Sequence, residues 1–91
     1  IGRDRFIRNV LYAVGNSADL SLIAPARKLL DDPASVVRGA AVWALSRLMA
    51  PADFAALAAS VSEPDPEVRS EWDRRSASEG RSLSPPGLAG G

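Results

Sequence analysis

Residues 31–48 read DDPASVVRGAAVWALSRL, an acidic residue and a proline followed by apolar side chains at helical intervals. The Asp32 carboxylate can cap free amides and Pro33 suits a helix start. Behind them Val37, Ala41, Ala44, Leu45 and Leu48 fall on one face of a 3.6-residue repeat, with Val36, Ala40 and Trp43 widening the stripe. This spacing predicts a helix from about Ser35 to Met49, the longest and most hydrophobic of the chain. Such a helix belongs at the centre of a stack. Pro51 stops it.

The same pattern recurs on both sides. Val36-Val37-Arg38-Gly39-Ala40 lines up with Phe6-Ile7-Arg8-Asn9-Val10 and with Glu67-Val68-Arg69-Ser70-Glu71, the arginines standing 30 and 31 residues apart. Glu63-Pro64-Asp65-Pro66 repeats the acid and proline punctuation before the third unit. Two and a half units of about 30 residues, each a helix pair, predict an all-α chain folded as a short α-solenoid of about five helices.

The remaining helices follow from the same arithmetic. In the first, Phe6, Val10 and Val14 form an i, i+4, i+8 line flanked by Ile7 and Leu11, and Gly15-Asn16-Ser17 ends it, Gly and Asn both tolerating a left-handed cap. Asp19 or Ser21 starts the second, in which Leu22, Ile23, Ala26, Leu29 and Leu30 share a face and Pro25 must lie near the first turns. Phe54, Leu57, Ala58 and Val61 mark the fourth, whose alanines predict tight packing on the third. The fifth, Pro66 to about Ser78, keeps Val68 and Trp72 but is otherwise polar, as a terminal capping helix must be. Residues 1–78 thus form one helical repeat domain. Residues 79–91, EGRSLSPPGLAGG, hold too few apolar groups to offset the entropy of ordering and are expected to be a disordered tail.

Composition narrows the chemistry. The chain has 91 residues, no Cys, no His, and eleven basic residues against eleven acidic ones. Soft metal ligands, thiolate chemistry and His-based catalysis are therefore absent from it. Sixteen residues are alanine, so the core depends on close helix approach rather than on bulk. No apolar run approaches the roughly 18 residues that cross a bilayer, and no signal peptide is visible; the expectation is a cytoplasmic protein. Starting at Ile1 rather than Met, the chain reads as a piece of something larger.

Charge is distributed unevenly. Arg3, Arg5 and Arg8 crowd the first helix with Asp4 as the lone nearby acid, and Asn9 adds a neutral donor and acceptor. Arginine forks bind phosphate oxygens in bidentate fashion, which makes this segment the candidate electrostatic footprint for RNA. Arg38 and Arg69 are expected instead to pair with acids of the inter-helix turns, such as Asp31, Asp32 and Asp65. Those acids, and Glu63, are read as helix-start caps rather than as paired catalytic carboxylates. Trp43 and Trp72 are read as packing residues rather than stacking platforms, and the Arg74-Arg75 pair, offset by Glu71 and Asp73, as part of a solvated face.

The strings GRDRFIRNVLYAVGNS (2–17) and DDPASVVRGAAVWALSRL (31–48) together resemble the carboxy-terminal HEAT-like domain of bacterial epoxyqueuosine reductase. The second string is generic to HEAT-like repeats; the first, R-N-V-L-x-A-x-G-N-S, is more particular. The resemblance covers residues 2 to about 50 and weakens through 78. It implies an accessory module of an oxidoreductase that completes queuosine at the wobble position of tRNA, with two [4Fe-4S] clusters and a cobalamin held by preceding domains and none held here. Its implied partners are the tRNA anticodon stem-loop and the catalytic domains of the parent chain. By that resemblance Arg3, Arg5, Arg8, Asn9 and Asn16 become candidate RNA contacts. The alternative is a HEAT-like module that docks only protein. The two differ in one respect visible in a structure: whether the arginines converge on one open surface or pair off with Asp4, Asp19 and Asp31.

Overall fold

The structure, a computed structural model, describes residues 2–83, with side chains described through residue 76. Five helices follow in order: α1 (Gly2–Asn16), α2 (Ile23–Lys28), α3 (Ser35–Leu48), α4 (Pro51–Ser60) and α5 (Pro66–Leu83). Short 3-10 turns, Leu20–Leu22 and Leu29–Asp31, extend α2 at both ends. The described residues contain no strand, so the expected all-α solenoid of five helices is the fold. Helix α5 continues past the expected end near Ser78 to Leu83. The rest of the expected tail, 84–91, lies outside the described residues.

Prolines and acids start α4, α5 and the turn ahead of α2, but not α3. The N-cap of α3 is Ala34, with no side-chain bond, because the Asp32 carboxylate accepts from the Ala34 amide ahead of the helix. Pro51 and Pro66 open α4 and α5, where a missing amide hydrogen costs nothing. Asp19 caps the turn ahead of α2, its Oδ1 accepting from the Ser21 amide at 3.0 Å. Asp65 does the same for α5, accepting from the Glu67 amide at 2.8 Å. Pro25 falls in the first turn of α2, where it is tolerated.

Helix α3 is the axis of the molecule. It packs most extensively on α1 and next on α5, and α2 lies against it as well. Val37, Ala41, Val42, Ala44 and Leu45 are fully buried, a set that reaches round the helix because neighbours cover it on several sides. Phe54 and Trp72 stack with ring centroids 5.1 Å apart and planes 28° apart, clamping α4 to α5. That clamp revises one expectation: α4 leans on α5 more than on α3. Its alanines at 52, 55, 56 and 59 are exposed; Phe54 and Ala58 are buried in the core and Leu57 packs partly covered against it.

Helix α1 departs from the sequence reading in two ways. The buried residues are Leu11 and Gly15, with Ile7 and Val14 partly covered, while Phe6 and Val10 of the expected line are exposed. The helix does stop within Gly15-Asn16-Ser17, at Asn16, but neither Gly15 nor Asn16 takes a left-handed cap. No glycine described has a positive φ, and α1 runs on through Asn16. The left-handed position belongs to Ala18, at φ 58°, which lets the Ser17 hydroxyl accept from the Asp19 amide at 3.1 Å while donating to the Val14 carbonyl at 2.6 Å. Gly15 serves packing: a Cβ there would meet the Trp43 ring at 2.5 Å and the Ala44 backbone at 3.2 Å. The absent side chain is what lets α1 reach α3.

Candidate nucleic-acid interface

The three repeated arginines have different surroundings. Arg38 is bound on every donor face: Nε and Nη2 donate to the Glu63 carboxylate at 3.0–3.2 Å, and Nη1 donates to the carbonyls of Asp32 and Pro33 at 2.8 and 3.1 Å. Arg69 reaches the Ala58 carbonyl in the last turn of α4 at 3.4 Å, the Val61 carbonyl just beyond it at 3.3 Å, and Asp73 at 3.4 Å. Each ties one repeat to the turn beside it. The expected partners Asp31 and Asp65 are not used; Glu63 and backbone oxygens take their place.

Arg8 does not join this ladder, because Arg3 has taken its partner. Asp32 stands 31 residues before Glu63, and the two acids make the same turn: Asp32 accepts from the Ala34 amide at 3.0 Å, Glu63 from the Asp65 amide at 2.9 Å. Glu63 is held by Arg38, but Asp32 is held by Arg3, whose Nη2 donates to Oδ1 at 2.6 Å. The Arg3 hydrogen bond and the Ala34 amide keep the Asp32 carboxyl below the usual carboxylate range. A second bond at 2.9 Å joins Arg3 to Asp4.

Arg8 is thereby released to the surface. Its guanidinium carbon lies 5.2 Å from the Tyr12 ring centroid, and Nε donates to the Tyr12 hydroxyl at 3.3 Å, a cation-π arrangement that holds the side chain in place. Among the described residues neither Arg5 nor Arg8 enters an ion pair. At about 100° per residue, Arg5, Arg8, Asn9, Tyr12 and Asn16 fall within an arc of about 100° on α1, and all five are exposed. Arg3 lies on the opposite side of the helix. Four of the five sequence candidates therefore share one open face, and the fifth is engaged in a repeat-to-repeat bond.

Sequence reasoning missed Tyr12, although its i+4 spacing from Arg8 was legible. It also missed the groove that continues this face. Arg8 and Tyr12 form one wall of a groove of about 660 Å³, Val36, Gly39 and Trp43 its floor, and Glu67, Glu71, Arg74 and Arg75 of α5 the other wall. Arg74 and Arg75 both bind Glu71, the latter at 2.7 Å. Burial alone would raise the Glu71 pKa, but hydrogen bonds from Arg75 and Arg74 outweigh it and hold the group below its ordinary value. Trp43 meets Tyr12 edge to face at 5.1 Å and Trp72 is fully buried, so both tryptophans are packing residues.

No cluster of three or more metal-ligating side chains occurs among the described residues. The clusters and cobalamin that the resemblance places in preceding domains find no fitting ligands in a chain without Cys or His. No helix of the described residues is long and apolar enough to cross a membrane.

Stacked helix pairs, charged turns that lock one repeat to the next, and an open groove across three helices define a helical-repeat interaction module. The family model of HEAT repeats matches residues 4–72, and the chain belongs to the HEAT-repeat family. No curated protein and no solved structure matches it. The family match carries the repeat architecture and no activity.

Proposed function

We propose that this HEAT-repeat module presents the outer face of α1 to RNA, as the accessory domain of an enzyme like epoxyqueuosine reductase, where it helps hold a tRNA anticodon stem-loop against the catalytic domains. The supporting observation is the convergence of Arg5, Arg8, Asn9 and Asn16 with Tyr12 on one exposed face, both arginines being without an acidic partner. Arginine forks on that face suit phosphate oxygens, and the Tyr12 ring offers a surface against which a base or sugar packs. Arg3 contributes by fixing α1 to the Asp32 turn. Net neutrality is an average over the whole chain and does not describe this face, where Arg5 and Arg8 enter no ion pair, while Asp32, Glu63 and Glu71 are bound by Arg3, Arg38, Arg74 and Arg75.

Fluorescence anisotropy with a labelled anticodon stem-loop tests the reading. Binding is expected to be weak and salt-sensitive, its logarithm falling by about 0.7–0.9 per phosphate neutralised for each tenfold rise in salt. Replacing Arg5 and Arg8 with alanine should remove most of it while leaving the melting temperature unchanged. Replacing Arg3 should lower the melting temperature first. Absence of binding at low salt would leave a module that docks protein alone.

A further inference from the structure

Helices α1 and α3 run side by side in the same direction: Arg3 meets the turn before α3, and Gly15 lies against the Ala44 backbone toward its far end. Tyr12 and Trp43 meet across that seam, ring centroids 5.1 Å apart and planes at 84°. Each ring carries an arginine one helical turn away on its own helix. Arg8, a turn before Tyr12, lies 5.2 Å from that ring, and Arg47, a turn after Trp43, lies 5.6 Å from its own. The four side chains form a diagonal row from α1 to α3 with a guanidinium at either end. Like Arg8, Arg47 is exposed and enters no ion pair among the described residues. A cation suits the last turn of α3 whatever its neighbours, but the helix dipole does not require it to lie over an indole ring. Beyond Trp43 stands a second cleft of about 290 Å³ with Arg47 and Arg75 on its walls, and Arg75 also borders the main groove.

We propose that this row is a track for an unpaired RNA strand, which passes from Arg8 on α1 over the Tyr12–Trp43 seam to Arg47 on α3, with Arg47 as its second anchor. An exposed guanidinium held against a ring by one face keeps its other face and its N–H edge free. The face takes an unstacked base and the edge a phosphate oxygen. Duplex RNA offers phosphates but keeps its bases stacked, and an acidic peptide would use the N–H edges alone. The track rests on RNA binding by α1 and extends it, naming unpaired nucleotides as the substrate class and adding a binding residue from a second helix. Trp43 remains a packing residue that positions Arg47.

The test is fluorescence anisotropy of the 91-residue chain with two labelled probes, a short unpaired RNA and a blunt RNA duplex carrying the same number of phosphates. The unpaired strand should bind more tightly. Arg47→Gln should weaken that binding roughly tenfold and reduce its salt slope by about 0.7, with an unchanged melting temperature and little effect on the duplex. Arg47→Lys should restore the slope but not the full affinity, because an ammonium keeps the charge and loses the planar face. A strand that binds through Arg5 and Arg8 yet is indifferent to Arg47→Gln would overturn the track while leaving RNA binding by α1 intact. So would equal losses for strand and duplex, or full rescue by lysine, since either marks a bare phosphate contact. Failure of both probes to bind at low salt, with a polyglutamate peptide binding through Arg47 instead, would overturn the track and the RNA reading together and assign the row to an acidic protein partner.

Discussion

Gly15 and Trp43 are fitted to each other so closely that a methyl group on the glycine would stand 2.5 Å from the indole ring. Gly39, in contrast, has nothing within 4 Å of the place its Cβ would occupy. One substitution should therefore have opposite signs at the two sites. Gly15→Ala gains helix propensity but overpacks the α1–α3 contact, for a net loss of about 1–2 kcal/mol. Gly39→Ala gains propensity without a clash and should stabilise by about 0.5–1 kcal/mol. Urea denaturation of both variants decides this, and Trp43→Leu should rescue Gly15→Ala.

The arginine ladder should be energetically uneven. Arg38 and Glu63 have side chains only 14% and 3% exposed, so removing Glu63 leaves a largely desolvated cation unpaired. Glu63→Ala is expected to cost about 3 kcal/mol. Arg8→Ala, which breaks no ion pair, should cost less than about 0.5 kcal/mol. Equal losses at the two positions would show that the repeat equivalence outweighs the difference in their surroundings.

Ala18 holds a left-handed backbone that costs an L-residue about 1–2 kcal/mol. Glycine relieves that strain at the expense of a freer unfolded chain, so Ala18→Gly should stabilise by up to about 1 kcal/mol. Ala18→Val should destabilise, since a β-branched residue fits this region worst. Thermal melts of the two variants check the order.

Acid should loosen the turns before the core. The Asp19 carboxyl is held below its ordinary value by the Ser21 hydroxyl and amide, and Asp32 by Arg3 and the Ala34 amide. Depressed native values mean that the unfolded chain binds protons first as pH falls. The stability from these groups is thus complete above about pH 4, the unfolded carboxylate range, and is lost as pH drops through the native values beneath it. Melting temperature against pH from 2 to 6 should show this fall, and Asp32→Asn should flatten it.

The central helix was legible because α3 is covered on several sides, so an apolar residue at almost any angle was inward. The cap expected of Asp32 is not made, its carboxylate holding the Ala34 amide and Arg3 instead. The orientation of α1 was not legible. Phe6–Val10–Val14 and Ile7–Leu11–Gly15 are both helical lines, and hydrophobicity prefers the first. The structure chooses the second because a missing side chain at Gly15 admits the large ring of Trp43. The basic cluster divided for a related reason: five residues apart in sequence, Arg3 and Arg8 project from opposite sides of a helix, and only one reaches the Asp32 turn. The shared surface of Arg5, Arg8, Asn9 and Asn16 was implicit in their spacing, whereas the Gly39 floor and the α5 wall of the groove required the third dimension.

Longer repeat arrays lose cooperativity and open piecemeal, but a stack this short, organised about α3, has no repeat that can leave without uncovering that helix. Unfolding should therefore be all-or-none, with the amides of α3 exchanging only through global opening and those of α2 through smaller local events. The buried ring of contacts around Val37, Ala41 and Leu45 makes the middle helix a keystone: loosening either outer repeat is felt at the other, giving the two ends of the module a mechanical link across a single helix diameter.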